Sequence, residues 1–245
     1  MVSARTAQDR AAFVLPFLSD GMRLLDVGCG PGSITLGLAR AVERGGSVVG
    51  VDMQRSQVRA ATLAGADAGV ANVVFQVGNA YELPFESSSF DVVFAHALFE
   101  HLAAPARALA EMARVLRPQG LLAASSSDWS GARIEPCTPD VRCAMDAHFA
   151  LRRRAGGDPF AGSQLPSWVS AAGFEVVKVG ADDKIDMSYA ALATYVAARV
   201  REAYAQTGEP ALEEAGAAAS RWASSATNGV AVQRWVHLVA RRTKE

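Results

Sequence analysis

Cysteine is scarce in this chain: Cys29, Cys137 and Cys143 are the only three in 245 residues, and no two form a CxxC pair. An odd count at such spacing suits neither a disulfide framework nor a zinc site, so the thiols read as reduced and mostly structural, and no metal is expected. A surplus of charge is also missing, since 24 Lys+Arg meet 25 Asp+Glu for a formal net charge of -1. Such a chain has no general attraction for nucleic acid or an anionic membrane surface, which argues against both as partners. No apolar run approaches the 18 residues of a membrane span, and "MVSARTAQDRAAFVLPFL" mixes charges with short apolar pieces instead of presenting a signal segment. The expectation is a soluble, cytoplasmic protein. Lysine gives way to arginine, 3 against 21, which with abundant alanine hints at a GC-rich bacterial genome.

Apolar residues are plentiful at 50%, enough to bury the core of one domain. Nearly unbroken apolar runs at 22–27, 48–51, 73–77, 90–95 and 121–124 read as strands covered on both faces of a parallel sheet. Helical spacing lies between them: Ile34, Leu38, Ala41 and Val42 share one face, and Leu109, Met112, Ala113 and Leu116 another, with Pro105 suited to a first helical turn. Regular alternation of strand and helix predicts an α/β, doubly wound sheet. A single domain over 1–245 is expected to divide into a helical cap (1–20) over the sheet's carboxyl edge, a core (21–127), an insertion (128–163) and a C-terminal part (164–245). The last part reads as a helix at 164–172, a strand at 174–179, a helical cap at 188–226 and a final strand "VAVQRWVHLVARR".

The first strand runs into "DVGCGPGS", with Gly28, Gly30 and Gly32 spaced G-x-G-x-G. Glycines there let backbone approach a ligand where side chains would clash. Ser33 occupies the position that would complete the dinucleotide fingerprint, which weakens a nicotinamide or flavin reading. Asp26, two residues before the loop, would repel a pyrophosphate and favour an ammonium group, so the loop suits a cationic adenosyl ligand. Asp52 ends the second strand 24 residues after Gly28, where a carboxylate can accept from ribose hydroxyls; helix capping is its rival role, and the spacing alone does not separate NAD from other adenosine ligands. Met53 follows, placed to pack on adenine or ribose, and Cys29 inside the loop reads as a packed small residue rather than a nucleophile.

Four stretches, "LLDVGCGPGSITLGLA", "VVGVD", "GNAYELPFESSSFDVVFAHALFEHL" and "RVLRPQGLL", together resemble the class I S-adenosylmethionine-dependent methyltransferases, in the small-molecule group with the ubiquinone and menaquinone C-methyltransferases. The resemblance covers residues 23–124 and implies a seven-stranded, mostly parallel Rossmann-like sheet. It implies that Asp26, Gly28, Cys29, Gly30 and Gly32 surround the methionine part of S-adenosylmethionine, and that Asp52 takes the ribose. Met53, Gln57, Asn79 and Ala80 would lie beside the adenine, and Ala95, His96 and Leu98 would line the reacting end. The family usually has an acid where Asn79 stands; the amide oxygen can still accept, so modestly altered affinity is expected. "RPQG" replaces the more usual "RPGG".

Methyl transfer from a sulfonium is an in-line displacement, and holding the acceptor in place supplies much of the catalysis. Should a base assist, His96 and Asp128 are the catalytic candidates. His148 in the insertion is a further candidate beside the acceptor, and Trp129 a candidate wall of its pocket. His96 has packing as its alternative role, and Trp129 core burial. His101 reads as structural, at a helix start. Arg152, Arg153 and Arg154 read as a solvated surface before they read as an acid-binding cluster. Trp168, Trp222 and Trp235 read as core. The expected partner is a small-molecule methyl acceptor, with a monomer or homodimer both open.

Overall fold

A computed structural model describes residues 5–226 and 228–243. Its seven strands form one sheet in the order β3-β2-β1-β4-β5-β7-β6, numbered along the chain as β1 (Arg23–Val27), β2 (Ser47–Asp52), β3 (Val73–Val77), β4 (Phe90–His96), β5 (Leu116–Glu135), β6 (Phe174–Lys184) and β7 (Val230–Arg242). β1 to β5 pair in parallel, and β7 runs antiparallel between β5 and β6. The expected doubly wound, mostly parallel sheet is therefore present, with its order reversing at β1/β4, where ligands of such sheets bind.

Period-2 alternation decides what each strand buries. Leu24, Val48, Val92, Phe94, Ala123 and Val239 face α2 (Ser33–Ala41) and the N-terminal α1 (Ala7–Arg10), meeting Ile34, Leu38 and Val42. Their neighbours Leu25, Val93, Leu122, Ala124 and Leu238 face the other way, onto Leu109 and Met112 of α4 (Pro105–Val115) and Leu165 of α6 (Ala161–Ala171). α3 (Arg55–Asp67) follows β2. Pro105 opens α4 as expected, while Leu116 begins β5 rather than ending that helix. A third apolar cluster joins α5 (Pro139–Arg154), α7 (Tyr189–Thr207) and α8 (Pro210–Ser225), with Trp222 buried at its centre.

The N-terminal cap is described only from Arg5, and consists of α1 and a 3-10 turn at Leu15–Phe17. The insertion expected from residue 128 begins instead inside β5, which continues through Asp128 to Glu135 by pairing with β7 across an irregularity between Asp128 and Arg133. Polar side chains hid this extension: Ser125, Ser126, Ser127 and Asp128 are all buried, and the Ser126 and Ser127 hydroxyls donate to the buried Glu100 carboxylate at 2.5 and 3.2 Å. The helix expected at 164–172 starts three residues earlier, and the helical region at 189–225 is a hairpin broken by Gly208, whose φ of 66° ends α7.

Candidate cofactor loop and acceptor cavity

Between β1 and α2 the backbone is left-handed at Gly28, Gly30 and Gly32, with φ of 79, 52 and 82°. A Cβ at Gly28 would stand 3.1 Å from Leu98 Cδ1, and one at Gly32 would stand 2.9 Å from both Ala61 Cβ and Phe75 Cζ. A Cβ at Gly30 would meet nothing within 4 Å, so there the loop is open. Gly28 N and Cys29 N donate to Val51 O at 2.8 and 3.0 Å, which ties the loop to β2.

Asp52 crosses the end of β2 to the same loop. Its Oδ2 accepts from Gly30 N at 3.0 Å and its Oδ1 from Gln54 N at 2.9 Å. It is not the cap of α3, whose N-cap is Gln54, so the capping role weighed for Asp52 falls away. Met53 beside it is 75% exposed, and Gln57 is half-buried in the first turn of α3. Asn79 Oδ1 accepts from Tyr81 N at 3.0 Å, so one lone pair of the expected adenine acceptor is already used within its own turn. Ala80 packs against the α4-side core.

Asp26 is almost fully buried, and Thr35 Oγ1 donates to its Oδ2 at 2.6 Å. Burial pushes its carboxyl up to about 7; the Thr35 bond works against that shift and the Asp52 charge adds to it. Thr35 was not anticipated, although a hydroxyl inside the buried face of α2 was visible in the order of residues. Burial, with Asp26 and Asp52 nearby, raises the Cys29 thiol far above its ordinary range, which disfavours the thiolate a nucleophile would need.

At the end of β4 the chain turns sharply. Ala97, a non-glycine residue, has a φ of 56°, and its N–H donates to Ser125 O at 2.9 Å. Strain of this kind persists where neighbouring structure over-determines it, often at functional sites. The turn sends two side chains to different places: Leu98 against Gly28 of the glycine loop, and His96 into a small cavity of about 20 Å³. Ala95 is fully buried in the core, so only its backbone could meet a ligand.

His96 stacks on Trp235 at 4.7 Å between ring centroids, and among the described residues neither of its ring nitrogens has a partner. Burial first, then the Arg5 and Arg10 guanidiniums, drive its pKa down to about 3, so the imidazole is neutral across the physiological range. Trp235, expected as plain core, walls this cavity with Phe13, Ser125 and His237. These residues were missed in the sequence, yet β7 carried a sign of them, since Gln233, Trp235 and His237 alternate on its buried face. Nothing in the sequence marked Arg10 itself, which α1 of the expected N-terminal cap brings to this cavity.

The other candidates lie elsewhere. Asp128 sits within β5 rather than after it; its Oδ1 accepts from Ser130 N and Oγ at 3.0 and 2.6 Å, and it does not line the cavity of His96. Trp129 and His148 are joined through Phe149, with ring centroids 5.8 and 6.0 Å away, in an aromatic group next to α7. Trp129 lines a second small cavity of about 10 Å³ with Met187 and Leu192, and burial lowers His148 to about 4. His101 closes a 3-10 turn (Phe99–His101) ahead of α4, and Arg152 Nη1 lies 2.7 Å from its Nδ1. The arginine run is engaged side by side: Arg153 lies over Phe160 at 5.1 Å and Arg154 pairs with Glu209 at 2.7 Å. Among the described residues no cluster of three or more metal-ligating side chains occurs, and no helix is long and apolar enough to cross a membrane.

A doubly wound sheet of this order, with a left-handed glycine loop at its switch point and an aspartate ending the next strand, defines a Rossmann-like fold. The chain belongs to the methyltransferase domain family, whose model matches residues 18–151, more than half of its length. It is 36% identical over 186 residues to the probable methyltransferase ltbC of Aspergillus luteorubrus, covering 70% of this chain and 63% of that one. It is 35% identical over 181 residues to the 27-O-demethylrifamycin SV methyltransferase of Amycolatopsis mediterranei, covering 67% and 65%. Among solved structures it resembles the [4+2]-cyclase SpnF, with a TM-score of 0.63 and 25% identity over 100% of this chain and 85% of that one. The chain spans less than two thirds of the length of the curated relatives it matches.

Proposed function

We propose that this protein transfers a methyl group from S-adenosylmethionine to an oxygen of a small-molecule acceptor. The observation that carries the reading is the turn at Ala97, which sets Leu98 against the glycine loop and His96 in the cavity only two residues away. A cofactor held by the loop would thus present its reacting end to that cavity. Family membership and the O-methylating rifamycin relative support the same chemistry.

The residues present suit this cofactor. The open position at Gly30 leaves room for its methionine part, and Asp26, a buried carboxyl with no basic partner among its hydrogen bonds, suits its ammonium. Asp52 would take the ribose hydroxyls, and Met53, Gln57, Asn79 and Ala80 would flank the adenine. When bound, S-adenosylmethionine supplies the methyl group, and S-adenosylhomocysteine is the product. His96 accepts a hydrogen bond from the acceptor hydroxyl and orients it. At a pKa of about 3 it is too weak a base to hold the proton, which passes to solvent as the oxygen–carbon bond forms and the carbon–sulfur pair stays on sulfur, so the rate rests on positioning.

Titration calorimetry with S-adenosylhomocysteine tests the cofactor assignment: micromolar binding with none for NAD is expected, and the reverse overturns it. Labelled-methyl incorporation across hydroxylated acceptors tests turnover, and cofactor binding without product would make this a binding protein. His96→Gln is expected to lower kcat/KM about tenfold, the size of one lost neutral hydrogen bond, without moving the acid limb of the pH profile. Loss of a limb near neutral pH would assign His96 as a base instead.

A further inference from the structure

The arginine run that closes α5 does not act as one surface. Arg153 lies over Phe160 and Arg154 pairs with Glu209, whereas Arg152 turns to His101, its Nη1 2.7 Å from the ring Nδ1. His148 stands four residues before Arg152 on the same face of α5, and Tyr195 and Arg199 repeat that spacing on α7. The two helices share one apolar cluster, and the His148 and Tyr195 rings meet edge to face with centroids 5.6 Å apart, so the two pairs face each other. Arg199 is exposed, and among the described residues neither Arg152 nor Arg199 has an acidic partner within ion-pair distance.

Burial first, then Arg152 and Arg199, lower His148, and burial lowers His101 too, with Glu100 opposing and the same two guanidiniums adding. Both imidazoles are therefore neutral near pH 7. Two positive charges remain against the one carboxylate that acts on His101, that of Glu100, which is buried and already accepts from the Ser126 and Ser127 hydroxyls. His148 itself is 4% exposed, and its Nδ1 has no partner among the described residues. Guanidiniums crowded without an acid and an orphaned buried ring nitrogen are both unfavourable, and an oxygen anion set among them offsets both.

We propose that His101, His148, Arg152, Tyr195 and Arg199 bind an acidic group, a carboxylate or phosphate, that the methyl acceptor carries apart from its reacting hydroxyl. The inference rests on reading the glycine loop as the cofactor site and adds to it a class of acceptor. One short segment links the two places. Leu98 lies against Gly28, and His101 N donates to Leu98 O at 2.9 Å, which sets His101 a single 3-10 turn beyond the loop contact. His96 and His101 stand at the two ends of that segment, so an acceptor offers its hydroxyl at one and its acid at the other. His101, Tyr195 and Arg199 are exposed, so the acid enters from solvent and needs no enclosed cavity. A guanidinium meets a carboxylate or phosphate through two parallel N–H donors, and Arg152 and Arg199 supply two such forks. These residues position the acceptor; none of them takes or gives a proton.

Titration calorimetry with S-adenosylhomocysteine present tests this by comparing para-hydroxycinnamate with its neutral amide, which keeps the ring and the hydroxyl. The acid is expected to bind about tenfold more tightly than the amide, and excess inorganic phosphate to weaken the acid alone. Arg152→Gln and Arg199→Gln should each cut that preference about threefold and together abolish it, while S-adenosylhomocysteine affinity is kept. Arg154→Gln, which removes the same charge from the neighbouring Glu209 pair, should leave the preference unchanged. Equal affinity for acid and amide, including no binding of either, overturns the proposal, as does a preference that the double variant retains or that Arg154→Gln lowers equally. Binding of inorganic phosphate without any preference for the acid would make this a site for a free anion and equally remove its role toward the acceptor. If the double variant does not fold, Arg199→Gln at its exposed position decides alone. Failure of S-adenosylhomocysteine to bind at all would instead sink the cofactor reading.

Discussion

At the glycine loop, the surface a cofactor would meet is mostly backbone from one stretch of chain, Asp26 to Asp52, closed by hydrogen bonds from Gly28 N and Cys29 N to Val51 O. The cavity beyond His96 is walled by side chains from α1, β4, β5 and β7, which meet only because the sheet places β7 beside β5. Backbone surfaces depend on φ and on the absence of a Cβ, so they tolerate little change. Side-chain surfaces can be altered one residue at a time without disturbing the sheet. That difference suits a family holding one cofactor and many acceptors, and it makes the two regions separable by experiment.

The largest effect is expected where backbone and packing coincide. Gly32→Ala combines a left-handed φ of 82° with a Cβ 2.9 Å from Phe75 and Ala61, and should cost about 3 kcal/mol in denaturant unfolding. A cost near zero would mean that the loop can rearrange. Asp52→Ala should weaken S-adenosylhomocysteine binding by about 1 to 3 kcal/mol, read by titration calorimetry, and unchanged affinity would remove its ribose role.

Asp26 supplies a pH test of the cofactor side. Its folded pKa of about 7 lies above the ordinary 3.8, so between those values the folded state keeps a proton that the unfolded chain has lost. Stability of the free protein should therefore fall as pH rises through that window and level off above it. An ammonium favours the ionised form, so S-adenosylhomocysteine affinity should drop about tenfold per pH unit below 7. Asp26→Asn should flatten both profiles, and titration at several pH values would show a retained slope if another group is responsible. The smallest change is expected at the rim, where Asn79→Asp restores the family's usual acid and should shift affinity less than about fivefold, measured by the same titration.

Much of the cofactor side was legible before folding, because β1 and β2 alternate cleanly with α2 and the three glycines sit where left-handed backbone is needed. The resemblance then supplied roles for Asp52, Met53 and Asn79 that spacing alone left open. The cavity proposed for the acceptor was legible only at His96, through its place at the end of β4. Asp128 misled because a serine run followed by an acid looks like a loop, whereas burial against Glu100 and pairing with β7 make it strand. Trp235 is buried as its core reading expected, and only the tertiary structure shows that Arg10 and His96 lie on its ring.

Local order of residues was enough to determine the sheet, its glycine turn and the acid that ends β2, since strand periodicity, φ preference and short loops act over neighbouring positions. Which side chains surround His96, Arg10 among them, was decided only by the tertiary structure. Contacts across the whole length of the chain carry no local signature, and burial rather than spacing sets their charge and chemistry.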